Sequence, residues 1–157
     1  MITLTDIKKG CLAIMKQHYP TTKYKYYSNA VVESFSRPCF FTELSIEQSE
    51  ALSSDAERYR GNFSAEILQD KVDETEALEI GMTLRNAFGR YFMVTPADNS
   101  GQRAVKVVGY DFDFVGTDNN VPVITIDLEW TDRGLLPSET ADMMKDAYVS
   151  LKVEVEE

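Results

Sequence analysis

Four carboxylates, Asp111, Asp113, Asp127 and Glu129, are the residues of this chain whose types and spacing could carry chemistry. They stand at alternate positions of two apolar runs. Val108, Tyr110, Phe112 and Phe114 alternate with Gly109, Asp111, Asp113 and Val115; Ile124, Ile126, Leu128 and Trp130 alternate with Thr125, Asp127 and Glu129. Such a period of two marks half-buried strands, and the Asp118-Asn119-Asn120 link makes the two runs a hairpin. With the aromatic face packed inward, all four acids share the other face, and the register is expected to set acid opposite acid. Like charges directly opposite are destabilising, so solvent, a cation such as Ca²⁺, or arginines from a neighbouring strand or subunit must offset them. Arg58 and Arg60 are candidates for that role. The patch suits three uses: a solvated face, oxygen-only metal binding or carboxylate acid/base catalysis, or an acidic assembly surface serving as an interface or a channel lining.

Other reactive side chains offer less. His18 is the single histidine and falls at the end of an apolar helical stripe, where core or boundary packing is the expected role. Cys11 and Cys39 lie in apolar surroundings without a second cysteine or histidine at metal-ligand spacing, so a zinc site is excluded; two free buried thiols are the preferred reading, with a disulfide between them as the alternative. The glycines are scattered and none opens a helix as a phosphate-binding loop would. No catalytic residue, metal or cofactor is assigned.

The elements that must position the acids follow from hydropathy patterning. Leu4, Ile7, Cys11, Ile14, Met15 and His18 recur at helical spacing, with Thr3 or Thr5 as cap and Pro20 as stop. Lys23 to Tyr27 and Pro38 to Leu44 read as strands. Lys23-Tyr24-Lys25-Tyr26-Tyr27 interleaves cations with aromatics as a single-strand binder does, but with two charges a short strand is the preferred reading. The polar, acidic segment 45–57 is expected to be a long hairpin tip or mobile loop. Arg58 to Ile67 alternates as a strand with one polar face.

Asp73 or Thr75 opens a second helix with Leu78, Ile80, Gly81, Leu84, Ala87, Phe88 and Tyr91 on its apolar stripe, Gly81 permitting close approach to a sheet. Tyr91 to Thr95 is a strand and residues 96–101 a turn. The closing hairpin, Arg103 to Gly116 and Val121 to Trp130, requires a bulge near Val108-Gly109, because Val105 and Val107 point the other way from Val108. A short helix over Ser138 to Lys152 and a strand or frayed tail end the chain. The expected class is α+β: a mainly antiparallel sheet with two main helices packed on one face, plus a short C-terminal helix.

Length and charge bound the rest. The chain has 157 residues, 43% hydrophobic and 27% charged. A single domain over residues 1–157 is expected, one that hides about 70% of its unfolded surface. Acidic side chains outnumber basic ones by 26 to 16, a net charge of −10. That excess disfavours phosphate backbones and anionic membranes as partners. Neither a signal peptide nor a membrane span is read, which predicts a cytoplasmic protein until assembly.

As a whole the sequence resembles the tail terminator family of phages and prophages of Gram-positive bacteria. The segments that carry the likeness are the opening Met1-Ile-Thr-Leu-Thr-Asp-Ile helix, the Arg37-Pro-Cys-Phe-Phe-Thr-Glu-Leu strand, the strand from Arg58 to Ile67, the helix from Asp73, and the Gly109-Tyr-Asp-Phe-Asp-Phe to Ile126-Asp-Leu-Glu-Trp hairpin. The resemblance implies a non-enzymatic structural virion protein without cofactors. Such a protein forms a ring, typically a hexamer, on the head-proximal end of the tail tube. It stops tube polymerisation and presents the head-tail joining surface. The implied partners are further copies of itself, the tail tube protein and the head-tail connector, with genome DNA passing unbound; the implied locations are the host cytoplasm, then the virion tail. Asp111, Asp113, Asp127, Glu129, Arg58 and Arg60 become candidates for the lumen or the subunit interface. A monomeric acidic adaptor or inhibitor, or a carboxylate-dependent enzyme, is the competing class.

Overall fold

A computed structural model describes residues 1–28 and 34–133. The helix and tail expected after Ser138 lie outside the described residues. The chain begins with α1 (Leu4–His18). Thr3 is its cap: the Thr3 hydroxyl accepts from the Asp6 N–H at 3.1 Å, and the Asp6 carboxylate accepts from the Thr3 N–H at 3.0 Å. This reciprocal pair satisfies two donors that a helix start leaves open, which decides for Thr3 over Thr5. Ile7, Cys11 and Met15 are buried, whereas His18 is exposed at the helix end and does not pack as the sequence suggested.

β1 (Lys25–Ser28) starts two residues later than expected, because the Pro20 carbonyl takes the N–H groups of Lys23 and Tyr24 in a turn. β2 (Cys39–Ala51) and β3 (Ala56–Leu68) follow, then α2 (Glu74–Phe88), capped by the Asp73 side chain. β4 (Tyr91–Val94), β5 (Arg103–Val115) and β6 (Val121–Arg133) complete the described chain.

The strand order is β1-β2-β3-β6-β5-β4. The α+β class with two helices holds, but the six-stranded sheet is mixed: β1 runs parallel to β2, and the other neighbours pair antiparallel. The largest correction concerns segment 45–57. It is an arm of paired strand, with Ala51 opposite Glu57 and only four residues, Leu52 to Asp55, at the tip. Both faces of β2 are exposed from Ile46 to Ala51, so that half of the arm needs no apolar alternation, and its polar composition imitates a loop.

One face of the sheet and the two helices share a hydrophobic cluster that includes Ile7, Met15, Phe40, Phe63, Leu84, Phe88, Ile124 and Ile126. Gly81 performs the expected close approach: a Cβ there would lie 2.8 Å from the Phe112 ring. Leu78 is 46% exposed and Tyr91 lies in β4, so neither belongs to the buried stripe of α2. Tyr24 is buried and Tyr26 stacks on Phe40 at 5.3 Å, so these rings of the basic-aromatic segment serve the core rather than nucleic-acid bases.

Candidate functional site

The sheet face turned away from the helices carries the charged side chains, and β3, β6 and β5 build it. Ile124, Ile126, Leu128 and Trp130 are buried on the helix side, which turns Thr125, Asp127 and Glu129 outward. On β3 the buried Phe63, Ala65 and Ile67 send Arg58 and Arg60 to that same outer face. On β5 the inward Tyr110 and Phe112 leave Asp111 and Asp113 outward and exposed. All six residues singled out by the sequence therefore occupy one face.

The register corrects the expectation of acid opposite acid. Asp111 lies across from Thr125, Asp113 from Val123, Asp127 from Gly109 and Glu129 from Lys106. The cause is the closing turn, which sets Val115 opposite Val121 and leaves the acids diagonal to one another. Gly109 makes room for Asp127: a Cβ at Gly109 would stand 3.0 Å from the Asp127 carboxyl carbon.

The bulge between Val107 and Gly109 is present as expected, and it has a second effect. One inserted residue reverses the alternation of β5, so Lys106 rather than Val107 emerges beside Glu129. Lys106 was not recognised from the sequence, although the bulge, once placed, would have signalled it.

Glu129 is thus flanked by cations. The Arg60 Nε–H donates to its carboxylate at 2.9 Å, and Lys106 faces it from β5. The hydrogen bond from Arg60, aided by the charges of Arg60, Arg58 and Lys106, holds the Glu129 carboxyl below the usual glutamate value. Arg58 leans to the arm instead, 3.6 Å from the carboxylate of Glu50. Glu47, the extra residue of a bulge in β2, accepts from the Asn62 amide at 2.7 Å. Asp111 and Asp113 have another use, accepting the main-chain N–H groups of Phe112 and Phe114.

This arrangement is a charge ladder on an open face. The Glu129 carboxylate is occupied by a cation and those of Asp111 and Asp113 by main-chain donors, and the four acids do not converge on one point. Among the described residues no three His, Cys, Asp or Glu side chains form a group able to hold a metal ion. Cys11 and Cys39 are free and buried.

A family model of phage tail terminator proteins matches residues 6–137, from α1 to just beyond β6. The chain belongs to the phage tail terminator family. Curated proteins give no match. Membership of the tail terminator family identifies a structural component of the phage tail that associates with other tail or head proteins. The match spans the whole charged face, so that face is part of the terminator domain and not an appendage to it.

Proposed function

We propose that this protein caps the head-proximal end of a phage tail tube as a ring, a hexamer, which ends tube polymerisation and offers the head-tail connector its joining surface. The family match over residues 6–137 carries this reading, and the ordering of charge on the sheet supports it. In a ring, the net charge of −10 is multiplied by the number of subunits. A wall carrying Asp111, Asp113, Asp127 and Glu129 repels a phosphate backbone, so genome DNA passes without adhering. Catalysis and cofactors have no part in it. Assembly takes place in the host cytoplasm, and the protein ends in the virion tail.

Arg58 and Arg60 have two possible uses in such a ring, as lumen residues or as contacts to the next subunit. Arg60 is already joined to Glu129, and Arg58 lies near Glu50, within one chain. These pairings favour the lumen. The β2–β3 arm exposes Ile46 and Leu52 at 43% and 44%, and its reach suits contact with a neighbouring subunit or the tube.

The test is charge reversal of the four acids together, Asp111→Lys, Asp113→Lys, Asp127→Lys and Glu129→Lys, in a phage whose own terminator gene is deleted. The expected result is defective ring formation or failed DNA delivery. Tails of normal length that join heads and deliver DNA overturn the reading.

A further inference from the structure

Among the described residues the sheet has an edge that no strand covers. β4 pairs with β5 only from Arg103 to Lys106, while β6 pairs with the other side of β5 as far as Val115. Among the described residues, β5 has no strand partner on the β4 side from Val108 to Val115. The Val107 N–H points to that side and donates to the Arg90 carbonyl at 2.9 Å. Main-chain groups alternate sides along a strand and the bulge adds one residue, so the N–H groups of Phe112 and Phe114 face the same way. Among the described residues no strand meets them. They are held by the carboxylates of Asp111 at 3.0 Å and Asp113 at 2.7 Å. A row of uncovered main-chain groups is a template for a further strand. Beside it, α2 presents exposed Leu78 and Met82 on the flank opposite its buried Ile80 and Leu84, so an apolar ridge borders the edge.

Charge selects the occupant. Residues 1–42 hold six of the 16 basic side chains but only two of the 26 acidic ones; residues 43–157 hold the other ten and 24. Of these six, Lys25 lies on β1 and Lys23 and Arg37 lie just before β1 and β2, at the opposite end of the sheet, where among the described residues β1 is paired on one side only. Tyr26 turns inward onto Phe40, which puts Lys25 on the outer face. The residues after Arg133 carry six acids against two lysines and do not complement an acidic edge.

We propose that the β1 edge of a second copy docks on the open β5 edge, so that the sheet runs on from subunit to subunit. Lys25 of the incoming copy then falls on the same face as Asp111 and Asp113, an opposite-charge cross-strand arrangement. The contact joins two different surfaces, and head-to-tail repetition of such a contact closes into a ring. This rests on the ring reading above and names its interface.

Disulfide trapping tests it, using full-length Lys25→Cys and Asp113→Cys chains that also carry Cys39→Ala, since Cys39 is the cross-strand partner of Lys25 and Cys11 is buried. The two variants are mixed and oxidised in solution, and also in tails purified from cells expressing both. The expected product is a cross-linked pair that forms from the mixture and not from either variant alone. Each variant linking to itself, or a mixture that links no better than the single variants, overturns the proposal. In a second arm, D111K/D113K and K25E each weaken self-association about tenfold, and combining them in one chain restores it. Failure to restore counts against the charge pairing. Normal tails without the cross-link overturn the contact alone, whereas a cross-linked ring that does not terminate tails overturns the functional reading and leaves the contact standing.

Discussion

The main-chain N–H of Ile2 donates to the carboxylate of Asp132 at 2.7 Å, joining the second residue of the chain to the end of β6. Asp132 is buried, its other oxygen accepts from the Arg133 N–H at 2.9 Å, and the Arg103 guanidinium lies 3.6 Å away. One carboxylate therefore satisfies donors from the N-terminus and β6 and meets a cation of β5. Asp132→Ala leaves the buried Ile2 donor without an acceptor, and a loss of about 2–3 kcal/mol is expected. Asp132→Asn keeps one acceptor and loses less. Urea unfolding measures both, and an unchanged midpoint for the alanine variant contradicts the anchoring role.

Two glycines face different obstacles, and alanine should separate them. At Gly61 the added Cβ runs into the Ser45 carbonyl, a main-chain group of the neighbouring strand that cannot step aside. At Gly81 it meets the Phe112 ring, a side chain that can swing, and alanine favours the helix by about 1 kcal/mol over glycine. Gly61→Ala should cost about 2–3 kcal/mol, and Gly81→Ala clearly less. Thermal unfolding of the two variants gives the order, and the reverse order contradicts this account.

These glycines also show what could be read in advance. The close approach at Gly81 is legible because a glycine inside an apolar helical stripe has few other uses. The bulge at Val107–Gly109 is legible because the alternation breaks there. The β2–β3 arm is not, since a strand solvated on both faces carries no alternation to detect. The parallel pairing of β1 with β2 is equally silent in so short a strand. For the charged face, strand alternation gives membership but not neighbours. The six selected residues share a face, while the turn and the bulge decide that Glu129 meets Lys106 rather than another acid.

The two thiols should be inert in the native state. Burial pushes the Cys11 thiol far above its ordinary value, and burial likewise raises Cys39 despite the nearby Arg37 charge. Only the thiolate reacts readily with disulfide reagents. Native protein at pH 8 is expected to label slowly at both positions and rapidly once denatured in urea. Stoichiometric labelling of the native chain within the time needed by a free thiol contradicts the burial.

The Arg60–Glu129 pair makes a pH prediction whose sign is fixed. Glu129 titrates below its ordinary value of 4.5 in the folded chain because Arg60 donates to it. A carboxyl with a depressed folded value contributes stability above its unfolded value and loses it as the pH falls through the folded one. Arg60 is 51% exposed, so solvent screening limits the contribution to under about 1 kcal/mol. The chain should therefore exceed Glu129→Gln in stability at pH 7 by that small margin, and the margin should close as the pH drops below the ordinary glutamate value. Added salt should narrow it at pH 7, since the pair is partly exposed. Paired urea titrations at pH 7 and pH 3, at low and high salt, read the difference directly. A margin undiminished at pH 3 contradicts the assignment of Glu129's contribution to its charge.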